Sequence, residues 1–67
     1  MNLEIRWALD LITLDQERSI SKAAQKRYIS QSAFSRRLQH LEETVGFSII
    51  DRNSKEVSFT ELGQVLL

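Results

Sequence analysis

Gln31, Ser32, Ser35, Arg36 and Arg37 lie within seven residues of one another. Together they form a recognition set. An arginine can fork onto guanine O6 and N7, and a glutamine can offer adenine a paired donor and acceptor. Serine hydroxyls serve either a base edge or a phosphate. Catalytic chemistry has far less to work with. His40 is the only histidine and there is no cysteine, so no Cys–His pair and no thiolate metal site can form. Glu43, three positions on from His40, makes an ordinary surface pair on a helix. Asp10 and Glu17 stand two turns apart and define no metal spacing. The expectation is a binding protein, not an enzyme, with no cofactor in this segment.

The recognition set needs a helix to present it, and residues 30–46 read as one. Ser30 can cap the first turn. Phe34, Leu38, Leu41 and Val45 recur at intervals of four, three and four, a narrow apolar arc. Gly46 can adopt the left-handed conformation that closes a helix. Ser32, Arg36, Gln39, His40 and Glu43 occupy the opposite arc, with Gln31 and Ser35 on its flank. The helix dipole and free N–H groups at this end also favour a phosphate.

Net charge is zero, but its distribution is uneven. Residues 1–20 sum to −2 and residues 41–67 to −3. Residues 21–40 hold Lys22, Lys26, Arg27, Arg36 and Arg37 with no acid, a sum of +5. A local field of this kind attracts a polyanion whatever the total. On charge alone, a solvated basic surface is the alternative.

Residues 3–17 read as a first helix with two apolar stripes, Ile5–Ala8–Leu9–Ile12 and Trp7–Leu11–Leu14. In so small a domain one stripe is expected to face a second copy or another segment, unless both are internal. Ser21 is read as the N-cap of a helix over residues 22–27 or 28, where Ala23 and Ala24 permit a close crossing. Tyr28-Ile29-Ser30 then joins it to the next helix. A short helix, a three-residue turn and a longer helix with a polar first turn make a helix-turn-helix spacing.

Beyond Gly46 the period changes. Phe47, Ile49 and Ile50 form a short apolar run, and Val57 and Phe59 alternate with polar residues. This predicts two short strands around a tip, with Asn53 at its turn. Arg52 and Lys55 on that tip suit a wing that reaches a phosphate backbone, or simply a wet loop. Thr60 is read as the cap of a last helix, and Glu61 suits its dipole. The sequence stops on Val65-Leu66-Leu67 with the apolar face unfinished, so a fragment is expected. At 42% apolar and 27% charged residues the composition is that of a globular domain. The length allows one core only. No run is long enough to span a membrane, and no secretory signal is evident.

Taken together, several separated stretches resemble one family. They are Ser19-Ile20-Ser21-Lys22-Ala23-Ala24, Ile29 to Arg36, Leu38 with Leu41-Glu42-Glu43, Gly46, Ile49-Ile50-Asp51-Arg52 and Phe59 to Gly63. In order and spacing they resemble the N-terminal DNA-binding domain of LysR-type transcriptional regulators. The resemblance implies a mainly α fold: a winged helix-turn-helix of three helices, a short two-stranded wing and the start of a C-terminal linker helix. Residues 1–59 would form the DNA-binding domain and 60–67 the start of the linker helix.

The resemblance further implies double-stranded operator DNA as partner and a homo-oligomer in the full-length protein, with a small-molecule effector bound by an absent C-terminal domain. A cytoplasmic, nucleoid-associated place in bacteria goes with it. Gln31, Ser32, Ser35 and Arg36 become base-contact candidates. Ser21, Lys22, Arg27, Arg37, Arg52 and Lys55 become phosphate-contact candidates, with two alternatives: Arg37 has no acid to pair with along its own helix but could meet one elsewhere in the fold, and Arg27 could snorkel over the core edge. Trp7, Leu11, Leu14, Val65 and Leu66 become dimer-contact candidates. The chain departs from the family where Ser32 replaces proline, Phe34 and Arg27 replace leucine, Arg18 replaces glycine and Ile50 replaces phenylalanine. The wing also lacks its usual glycine. The rival reading is a winged-helix module that binds protein and not DNA.

Overall fold

Two stripes on the first helix compete for the interior. In the computed structural model, which describes residues 5–51 and 57–66 (the Leu66 side chain excepted), the aromatic stripe wins. Helix α1 (Ile5–Glu17) buries Trp7, Leu11 and Leu14, and leaves Ile5 80%, Leu9 44% and Ile12 48% exposed. A tryptophan removes more apolar surface from water than an isoleucine, which favours this orientation. The expectation for Trp7, Leu11 and Leu14 is therefore corrected. They are core residues with no surface to offer a second copy, and the outward stripe is the other one.

Helix α2 (Ile20–Lys26) begins two residues earlier than expected. Ser19, not Ser21, is its cap: extended at φ −151° and ψ 127°, it accepts a hydrogen bond from the Lys22 N–H at 3.2 Å. Ser21 sits exposed inside the first turn. Ala23 and Ala24 are fully buried, as a close helix crossing requires. Helix α3 (Gln31–Val45) follows the expected plan, with Ser30 accepting from the Ala33 N–H at 3.1 Å and Gly46 closing it at φ 85°. Phe34, Leu38 and Leu41 complete the core against α1 and α2.

Both interhelical turns use a left-handed residue without glycine. Arg18 (φ 55°) ends α1, its N–H bonded to the Leu14 carbonyl at 2.8 Å. Tyr28 (φ 59°) reverses the chain between α2 and α3, while the Ile29 N–H returns to the Ala24 carbonyl at 3.0 Å. The conformation costs a side-chain residue about 1 kcal/mol, which the surrounding hydrogen bonds must offset.

Strands β1 (Ile50–Asp51) and β2 (Ser58–Phe59) pair antiparallel, Ile50 opposite Phe59 and Asp51 opposite Ser58. Ile49, Ile50 and Phe59 send their side chains into the core. Residues 52–56, with Arg52, Asn53 and Lys55, lie outside the described residues, so the expectations for the tip do too.

Thr60 fastens helix α4 (Glu61–Leu66) to this hairpin. Its hydroxyl donates to the Ser48 carbonyl at 2.6 Å and accepts from the Gly63 N–H at 3.0 Å, and its own N–H donates to the Ile49 carbonyl at 2.9 Å. Gly63 is buried against that same peptide, where an added Cβ would collide with the carbonyl oxygen of Ile49. Backbone cannot yield as a side chain can. Gly63→Ala is expected to destabilise the domain by about 1–3 kcal/mol, read as a lower denaturation midpoint. Unchanged stability would show that α4 is not seated on Ile49.

Candidate nucleic-acid interface

The first turn of α3 presents its polar side chains outward. Ser30 both caps it and lies 3.3 Å from the Ser32 hydroxyl, which orders the two serines relative to each other. Gln31, Ser32 and Arg36 are exposed, and Ser35 is half-buried on the flank. Among the described residues no hydrogen bond or ion pair engages the Arg36 guanidinium, so it is available to a partner. On α2, Ser21 and Lys22 are exposed in the first turn. Lys26 reaches toward Glu17 at 3.9 Å, a loose exposed pair worth little.

For Arg27 and Arg37 the structure favours the alternatives to a phosphate contact. Arg27 Nε and Arg37 Nη2 both donate to the same oxygen, Oδ1 of Asp10, each at 2.8 Å. The Asp10 side chain is 6% exposed and each arginine 25%. The two phosphate-contact candidates are thus internal ligands of a buried carboxylate, and they hold α2 and α3 against α1. The reason is electrostatic: a carboxylate taken out of water must be paired. Arg37 Nε is buried with no hydrogen-bond partner, an imperfection at the edge of this cluster.

A sequence signal for Asp10 existed. It stands on the buried face between Trp7, Leu11 and Leu14, where an acid needs a cation. Arg37 has no acid three or four positions on along its own helix. His40 stays on the surface and sets its ring edge-on to Trp7, centroids 5.4 Å apart at 88°.

Residues 5–64 match the family model described as "Bacterial regulatory helix-turn-helix protein, lysR family". The chain belongs to the LysR family. It is 38% identical over 64 residues to the HTH-type transcriptional regulator YjiE of Escherichia coli K12, covering 96% of this chain and 21% of that protein. It is 36% identical over 61 residues to BenM of Acinetobacter baylyi, covering 91% and 20%. The chain therefore spans about a fifth of the length of these curated relatives. Among solved structures, Vibrio fischeri DarR in complex with DNA superimposes with a TM-score of 0.91 at 42% identity, covering 97% of this chain and 22% of that one. The BenM DNA-binding domain on its benA site 1 DNA gives 0.89 at 35%, covering 94% and 71%. The winged helix-turn-helix architecture is thus that of LysR DNA-binding domains.

Within this LysR-family frame, two residues make contacts that the sequence reading did not assign. Arg18, in place of the usual glycine, donates to Asp15 through Nε and Nη2, each at 2.9 Å, and reaches the Val57 carbonyl at 3.4 Å. Its guanidinium lies 5.9 Å from the Phe59 ring centroid. It ties the α1–α2 turn to the returning strand. Glu42 Oε2 accepts from the N–H groups of Ile49 at 2.8 Å and Ile50 at 3.3 Å, and so sets the entry of β1 from the far end of the recognition helix. Hydrogen bonds to a charged group contribute about 1.5–3 kcal/mol. Glu42→Ala is expected to cost that order of stability and to move the Ile49 and Ile50 amide resonances, with smaller shifts at Gln31 and Ser32. Equal shifts at both ends of α3 would count against a local role.

Proposed function

We propose that this domain binds double-stranded DNA, with the first turn of α3 in the major groove and the hairpin beside the backbone. The observation that carries the reading is the exposed Arg36 guanidinium, unengaged among the described residues and one turn on from Ser32 in a helix whose first turn Ser30 caps. Arg36 reads guanine, Gln31 reads adenine, and Ser32 and Ser35 contact a base or a phosphate. Ser21 and Lys22 position the domain on phosphates. Arg52 and Lys55 belong to the same proposal as wing contacts. The DNA complexes of DarR and BenM support this reading.

In this proposal residues 1–59 are the DNA-binding unit and residues 60–67 begin a linker helix. Self-association uses the outward stripe Ile5, Leu9 and Ile12 together with Val65 and Leu66 of α4, in place of Trp7, Leu11 and Leu14. Ile5 and Val65 are the most exposed members of that set whose side chains are described. A small-molecule effector would act through the length that the relatives have beyond this domain. Regulation of transcription in the bacterial cytoplasm, at the nucleoid, is the setting that follows. Its relatives are transcriptional regulators, and the residues above supply contacts, not a reaction.

Selection of bound genomic fragments, followed by salt-dependent gel shifts on the selected site, tests the proposal. No salt-sensitive shift on any fragment would overturn it. On the selected site, Arg36→Ala is expected to lose about 1–3 kcal/mol of discrimination at one base pair. Equal weakening on matched and mismatched duplexes would remove the base-reading role. Lys22→Ala should instead weaken all duplexes alike and reduce the log–log salt slope by about 0.9. An unchanged slope would take Lys22 off the phosphates.

A further inference from the structure

Resting on the DNA reading above, we propose that Asp10 is a specificity-determining residue: it withholds Arg27 and Arg37 from phosphate. Residues 21–40 carry five cations and no acid of their own. If all five met the backbone, the domain would hold any duplex tightly, because phosphate contacts strengthen every sequence alike. Two of the five instead converge on a single buried oxygen of α1, each at 2.8 Å. The cations left for DNA in this block are Lys22, Lys26 and Arg36.

Position makes the withholding matter. Arg37 follows Arg36 directly, and successive helical residues point about 100° apart. Arg36 faces outward while Arg37 turns toward α1. Arg27 caps the C-terminal end of α2, four residues before the recognition helix. Both side chains are long enough to swing their guanidinium groups to the surface if nothing held them. Asp10 holds them with charge-assisted hydrogen bonds that solvent screens weakly. A phosphate would have to break those bonds and strand the carboxylate out of water. Specificity is a difference of affinities, and removing two indiscriminate contacts lowers only the sequence-independent part.

The test is fluorescence anisotropy of a labelled mixed-sequence duplex, titrated with the 67-residue chain over a salt series. Arg27→Leu removes a cation that the structure takes off the phosphates, so affinity and salt slope should match the wild type. A slope lower by about 0.9 would overturn the proposal. Asp10→Asn leaves one acceptor for two guanidinium groups. Confirmed folded by circular dichroism, it should bind the same duplex about tenfold more tightly near 50 mM salt, with a slope steeper by about 0.9. A merely structural role predicts the reverse sign, so folded Asp10→Asn with equal or weaker binding overturns the inference. Should Asp10→Asn fail to fold, Arg27→Leu alone decides. Failure of the folded wild type to bind at low salt would instead overturn the DNA reading itself, and this inference with it.

Discussion

One buried carboxylate organises the three-helix unit. Asp10 comes from α1, Arg27 from the end of α2 and Arg37 from the middle of α3, and all meet at Oδ1. Taking these charges out of water is costly, so the cluster does not make the domain strongly stable. Its effect is to join the three helices at one point. Any slide of one helix past another strains two charge-assisted hydrogen bonds to a carboxylate that is itself shielded from water. A chain of 67 residues without cysteine has a small core, and the ion cluster adds direction to its packing.

The same economy appears at each junction. Ser19 and Ser30 cap their helices, Arg18 joins the first turn to Val57 just before β2, and Thr60 pins α4 to residues 48 and 49. None of these contacts is large in energy. Each supplies direction where a short apolar segment cannot. The core of Phe34, Leu14, Leu41 and Ile49 provides attraction, and the polar contacts decide its geometry.

Local structure was legible in the sequence wherever a residue acts on its own neighbours. Ser30 and Gly46 bound α3 as their chemistry requires, and the apolar period of Phe34, Leu38 and Leu41 marks the buried face. Two kinds of feature were not legible. With two serines two positions apart, cap preference alone does not choose between Ser19 and Ser21, because the choice depends on where the backbone turns extended. Long-range pairing is the other. Arg27 and Arg37 look like free cations until α1 is folded against them, and Glu42 looks like an ordinary surface acid until Ile49 and Ile50 bring their N–H groups to it. The two stripes of α1 also read alike in sequence; their partners broke the tie. For the proposed interface, the exposed set on α3 was readable by type and period, whereas the members that the fold withdraws from it were not.

Glu42 has a mechanical consequence. Glu42 fixes the start of the hairpin relative to α3 before any partner arrives. It lies eleven positions after Gln31 on the same rigid rod and grips the hairpin where it begins. A helix and a strand held at a fixed spacing in this way need not be ordered at the moment of binding.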